Sequence, residues 1–146
     1  MFTVDVSCVV DRPLRQVFDY VADFRNAPGW QPQLDSVRLD GGPFPRGSQV
    51  VEVHHFLGVR VEAVGDLVDW RPPDGFTVRG RSRLLRVESR YTFTSEPAGT
   101  RTALSLTMDP RGPSRLVEPV LRRQLGRSLA ESFANLGTTL RAALTP

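Results

Sequence analysis

Between Leu34 and Met108 apolar side chains recur with a period of mostly two, and beyond Leu121 they recur every three to four residues. That change of period constrains the fold more than any other feature of the chain. A period of two puts alternate side chains on opposite faces of a strand. Turn residues cut the stretch into candidate strands at Leu34–Leu39, Ser48–Leu57, Val59–Trp70, Gly75–Arg81, Leu85–Thr94 and Thr100–Met108. The separators are Gly41-Gly42-Pro43, Gly58, Pro72-Pro73-Asp74-Gly75, a tighter turn near Ser82, and Glu96-Pro97-Ala98-Gly99. Connections this short favour antiparallel pairing, because parallel neighbours need long crossovers. The later stripe of Leu121, Leu125, Leu129, Phe133, Leu136, Leu140 and Ala143 follows one face of a helix. From Glu118 to Ala143 that helix would be about 39 Å long. It must therefore lie across the sheet.

The first ten residues also alternate, with Phe2, Val4, Val6, Cys8 and Val10 on one side. Asp11-Arg12-Pro13 ends that strand, and Asp11 is expected to cap a helix carried by Leu14, Val17, Phe18 and Val21. Asn26-Ala27-Pro28-Gly29 stops it, and Trp30-Gln31-Pro32 reads as a turn or a second small helix. The expectation is one α+β domain over residues 1–146, a curved antiparallel sheet of about seven strands wrapped around a long C-terminal helix. A strongly bent sheet cannot touch a straight helix everywhere, so the space between them is expected to hold a cavity.

Composition narrows the classes of function. The hydrophobic fraction of 40% and charged fraction of 24% are those of a folded globular chain, not a disordered one. No apolar run is long enough for a membrane span, and no basic-then-apolar leader opens the chain. A lone cysteine, Cys8, fits a reducing compartment, so a cytoplasmic protein is expected. All 19 basic residues are arginine, but 16 acids are interspersed among them and the net charge is only +3. Nucleic acid is therefore not expected as a partner. A monomer or homodimer is expected.

Several runs carry a family likeness. Val17-Phe18-Asp19-Tyr20-Val21-Ala22-Asp23-Phe24, followed by Pro28-Gly29-Trp30-Gln31-Pro32, resembles the first-helix signature of the START-like, birch-pollen-allergen-like (SRPBCC) superfamily. Val68-Asp69-Trp70-Arg71-Pro72-Pro73 resembles its mid-sheet strand ending in a proline turn. Gly99-Thr100-Arg101-Thr102 and Phe133-Ala134-Asn135-Leu136 are similar to its last strand and C-terminal helix. Within the superfamily the chain resembles the polyketide cyclase/dehydrase and lipid-transport members. The resemblance implies a helix-grip fold with an apolar cavity, and enzymatic activity in only some members.

No nucleophile elbow or glycine-rich phosphate loop occurs, and no cofactor or metal site is expected. Cys8 shares its side with Val4, Val6 and Val10 and reads as a buried thiol. His54 and His55 are neighbours on a strand and point to opposite faces. His55 shares its side with Val51, Val53 and Leu57 and is expected to face inward, as a hydrogen-bonded core residue or as a proton-moving group. Val61, Ala63, Gly65 and Leu67 are expected on the cavity side, where Ala63 and Gly65 leave room. Val78, Tyr91, Phe93, Leu129 and Phe133 join them, with Trp30 placed beside the cavity mouth by the resemblance. Arg79 and Arg83 belong to an arginine-dense stretch whose ordinary reading is a solvated outer face; the sharper one has an arginine gripping a carboxylate or phosphate at the rim. No catalytic residue is firm; His55 and Tyr91 are the candidates. The expected function is binding or carriage of a small hydrophobic molecule, lipid or polyketide-like. The alternatives are a polyketide cyclase, aromatase or dehydratase, and a ligand-free protein-interaction or stress-related module, and whether the chain is an enzyme stays open.

Overall fold

Hairpin after hairpin, the turn residues fold the chain back on itself. The computed structural model describes residues 1–42, 44–45, 49–56 and 58–144. Strand β1 (Phe2–Val10) is followed by helix α1 (Leu14–Ala22) and a 3₁₀ helix at Phe24–Gly29. Then come β2 (Leu34–Asp40), β3 (Gln49–Phe56), β4 (Val59–Arg71), β5 (Gly75–Arg81), β6 (Leu85–Glu96) and β7 (Gly99–Pro110). A second 3₁₀ helix at Gly112–Val117 leads into α2 (Glu118–Leu144). The 7-stranded sheet has the order β1-β7-β6-β5-β4-β3-β2, every pair antiparallel. The expected start of β3 at Ser48 lies outside the described residues. Gly58 turns β3 into β4 with a φ of 78°, a left-handed conformation that a side chain would resist.

Two local expectations change. Asp11 does not cap α1: Pro13 precedes the helix, with no side-chain cap bond. The Asp11 carboxylate instead accepts from Arg141 Nε at 3.1 Å, tying the start of the chain to the end of α2. The second small helix begins earlier than Trp30, because Asp23 accepts from Arg25 N and starts the 3₁₀ turn at Phe24. The Arg25 guanidinium bonds the same carboxylate and holds it below its ordinary pKa.

Register decides which side chains face α2. Directly opposed residues of two strands share a face. Gly65 and Ala63 of β4 stand opposite Val50 and Glu52 of β3, and Val61 stands opposite His54. Leu67 pairs with Val78, Gly80 with Val87, Phe76 with Tyr91, and Leu104 with Tyr91 and Val6. The inner face of β3 is thus Val50, Glu52 and His54, the reverse of the expectation. Val51, Val53 and His55 point to the other face: Val53 is buried there, and His55 is exposed with Nδ1 2.7 Å from Asp35 Oδ1. The alternation rule assumes the apolar side is the inner one. In β3 a mutually paired glutamate and histidine occupy the inner face, and the rule fails.

Core packing is densest beside α1. Phe18, fully buried, sets its ring against Trp70, Phe76 and Phe93 with centroids 5.3, 6.0 and 5.2 Å away. Phe24 and Phe44 extend the cluster. Leu136 and Leu140 of α2 are also fully buried. Ala143, expected to continue their stripe, is exposed.

Candidate functional site

Toward the N-terminal half of α2 the packing opens into a cavity of about 250 Å³. That lies a little below the roughly 300–1,000 Å³ of sites for drug-sized ligands. Val61, Ala63, Val78, Val87, Leu106 and Met108 form its sheet wall, and Leu121, Leu125, Leu129 and Phe133 its helix wall. Trp30 closes the inner end, its ring edge-on to Phe133 with centroids 5.8 Å apart.

Polar groups line the cavity as well. His54 Nε2 lies 3.0 Å from Glu52 Oε2, both side chains largely buried. Tyr91 is buried beside them, and burial together with the nearby Glu52 charge pushes its phenol well above the usual value. Its hydroxyl is therefore a donor under all ordinary conditions. Among the described residues buried Trp30 Nε1 has no acceptor. Gln33 also faces the cavity, its Oε1 accepting from Ser132 Oγ at 3.4 Å. Buried donors usually find a partner, so Trp30 Nε1, without one among the described residues, marks where on the cavity wall an acceptor belongs.

The expected site residues divide as follows. Trp30, Ala63, Gly65, Val78, Tyr91, Leu129 and Phe133 line the cavity. Leu57 lies outside the described residues. Phe93 faces inward as expected but is buried in the aromatic cluster, not on the cavity wall. Val53 and His55 are on the opposite face of β3, which removes His55 from the cavity. Arg79 is on the outer face as well, its Nε 3.7 Å from Glu88 Oε2. Arg83 is exposed at the β5–β6 turn and does not line the cavity. Neither arginine reaches a ligand held inside. Sequence reasoning missed Glu52 and His54. The signal that could have found them is pairing: once Val61, Ala63 and Gly65 face inward, their partners across the hairpin must do so too.

Cys8 is half-buried against the core and desolvation raises its thiol pKa, which leaves it a poor nucleophile. Among the described residues there is no cluster of three or more His, Cys, Asp or Glu able to hold a metal ion, and no helix long and apolar enough to cross a membrane.

Comparison with solved structures finds the same fold elsewhere. A protein of Thermus thermophilus superposes with a TM-score of 0.85 at 17% identity, covering 99% of this chain and 100% of its own. A START superfamily protein from Mycobacterium smegmatis gives 0.82 at 15% identity, covering 97% and 98%. The Zhui aromatase/cyclase from a Streptomyces species gives 0.78 at 15%, covering 97% and 95%. No curated protein sequence matches the chain. The family described as "Polyketide cyclase / dehydrase and lipid transport" matches residues 1–141. With nearly the whole chain matched and a helix-grip fold around an apolar cavity, the protein belongs to the polyketide cyclase/dehydrase and lipid-transport family.

Proposed function

We propose that the cavity binds and carries a small, neutral, mostly apolar molecule whose inner end presents an oxygen acceptor. The observation that carries this reading is buried Trp30 Nε1, a donor on the cavity wall with no acceptor among the described residues. Tyr91 Oη supplies a second donor nearby. Apolar walls provide the affinity, about 25 cal/mol for each Å² buried, and the donors fix the orientation. The Glu52 carboxylate sets the charge: a ligand carboxylate at the same end would face a like charge across a low-dielectric space. A ketone, aldehyde, amide or quinone oxygen meets no such repulsion.

Displacement of the neutral dye Nile red tests the reading. Methyl naphthyl ketone and naphthoate have similar size and differ in the charge of the head group. The ketone is expected to displace the dye at least tenfold more effectively at neutral pH. Equal potency, or a preference for naphthoate, overturns the neutral-head reading. A protein that takes up neither dye nor ketone, and shows no bound small molecule in native mass spectrometry, overturns ligand binding altogether.

The Glu52–His54 pair favours a second reading, in which a bound carbonyl compound is cyclised or dehydrated. A carboxylate–imidazole pair 3.0 Å apart can take up a proton from a carbon beside a carbonyl, while the Tyr91 hydroxyl donates to the carbonyl oxygen. On this reading His54→Gln abolishes turnover of a poly-ketone substrate while leaving ketone binding within twofold. Unchanged turnover in that variant removes it.

A further inference from the structure

The cavity opens at one end, and the chemistry around that opening is unlike the rest of the surface. Val59, Leu84 and Val117 line the cavity and are at the same time 51%, 38% and 45% exposed, so they form its rim. Leu116 and Val120, exposed by 86% and 52%, extend the apolar ring outward. These side chains come from three separate segments: the start of β4, the β5–β6 turn, and the 3₁₀ helix with the first turn of α2. Exposed apolar side chains concentrated in one place mark an interaction surface.

Arginine pairing gives the second observation. Away from the opening, Arg15, Arg25, Arg38, Arg71 and Arg101 each lie against a carboxylate, and beside the β5–β6 turn Arg81 and Arg111 pair with Asp66 and Asp109. Around the opening, exposed Arg60, Arg83, Arg86, Arg115 and Arg123 have no ion pair among the described residues. Glu118, the acid closest in sequence to Arg115, is taken by the N-terminal ammonium at 2.7 Å. The mouth is therefore apolar and carries more arginine than the acids beside it neutralise.

We infer that this end of the protein docks on an anionic phospholipid surface, with Val59, Leu84, Leu116, Val117 and Val120 entering the interface and the unpaired arginines meeting lipid phosphates. Apolar side chains backed by arginines are the combination that holds proteins at the boundary of an anionic bilayer. Lipid fits better than an acidic protein because the apolar ring surrounds an opening into an apolar interior. A hydrophobic molecule leaving the cavity at this contact enters the acyl region without crossing water. Docking itself needs only the rim, so it stands or falls independently of what the cavity binds.

Sedimentation with large vesicles tests the inference. The protein is expected to pellet with vesicles containing phosphatidylglycerol, to stay in solution with pure phosphatidylcholine, and to be released by salt as exposed charges are screened. Leu116 does not line the cavity, so Leu116→Asp should lower partitioning about tenfold while leaving Nile red uptake and thermal unfolding unchanged. The double variant Arg83→Glu with Arg115→Glu should lower it at least tenfold. Arg38→Glu, remote from the opening, should lower it less than twofold. No pelleting with phosphatidylglycerol at low salt overturns the inference, as does equal loss in the Arg38 and Arg83/Arg115 variants. A protein that ignores vesicles yet binds polyglutamate through Arg83 and Arg115 overturns it in favour of an acidic protein partner.

Discussion

Beside α1, the inner face of the sheet carries Trp70 on β4, Phe76 on β5 and Phe93 on β6; toward the β5–β6 turn the same strands carry Ala63, Gly80 and Val87. Backbone pairing runs from one region to the other, interrupted only by a β-bulge between Leu67 and Asp69. What changes is side-chain size. Along β5 the inward residues shrink from Phe76 through Val78 to Gly80, and along β6 from Phe93 and Tyr91 to Ser89 and Val87. The first region is filled by aromatic rings and the second is the cavity. The hollow is thus written as a taper of residue volume on a regular sheet. Strained or missing backbone is not needed to make it.

The taper predicts that truncation costs most in the filled region. Phe76 is fully buried and contacts the rings of Phe18, Phe24, Trp70, Tyr91 and Phe93. Phe76→Ala should remove about 3–5 kcal/mol of stability, measured by denaturant unfolding. A loss under about 1 kcal/mol would mean that this region is as loosely filled as the cavity, and the comparison would collapse.

Enlarging residues on the cavity wall should separate two kinds of small residue. Gly65 faces the cavity, but a Cβ there would meet Val78 Cγ1 at 2.8 Å and Val50 Cγ1 at 3.0 Å. Its apparent room is already taken by neighbouring valines. Gly65→Leu should therefore cost about 1–3 kcal/mol through forced side-chain shifts. Ala63, one pair further along, borders the open space itself. Ala63→Leu should cost less than about 1.5 kcal/mol and abolish Nile red uptake. Unfolding and dye titration of both variants sharpen the boundary of the cavity to a single residue pair. Equal costs at the two positions would place that boundary elsewhere.

The same contrast explains what the sequence made legible. Element order, antiparallel pairing and the long helix all follow from period and turn chemistry, and each strand lies within a few residues of its expected span. Ala63 and Gly65 were recognisable as small residues on an inward face. The orientation of β3 was not, because both of its sides carry valines and the polar pair Glu52–His54 sits where a filled core would exclude it. Alternation assigns a face only when one side is plainly apolar. A cavity wall relaxes that condition, and the error then carries His55 inward in place of His54. Whether Arg79 faced in or out was likewise settled by register, since it stands opposite Glu88 on the outer face.

The smallest stability effect is expected at Tyr91, where the filled and hollow regions meet. Its ring stacks on Phe76 at 4.7 Å between centroids, within the aromatic cluster, while its hydroxyl reaches the cavity side near Glu52. Removing the hydroxyl leaves the ring packing on Phe76 intact. Tyr91→Phe should change stability by less than about 0.5 kcal/mol, where loss of a satisfied hydrogen bond would cost about 0.5–1.5 kcal/mol. Ligand affinity should respond differently. Because burial and the Glu52 charge keep the phenol protonated, its role toward a ligand is to donate, and methyl naphthyl ketone should bind about two- to tenfold more weakly to the variant. Naphthalene, which has no acceptor, should bind equally to both proteins. If naphthalene loses as much affinity as the ketone, Tyr91 acts through the shape of the wall, and the polar end of the ligand must be sought at Trp30 alone.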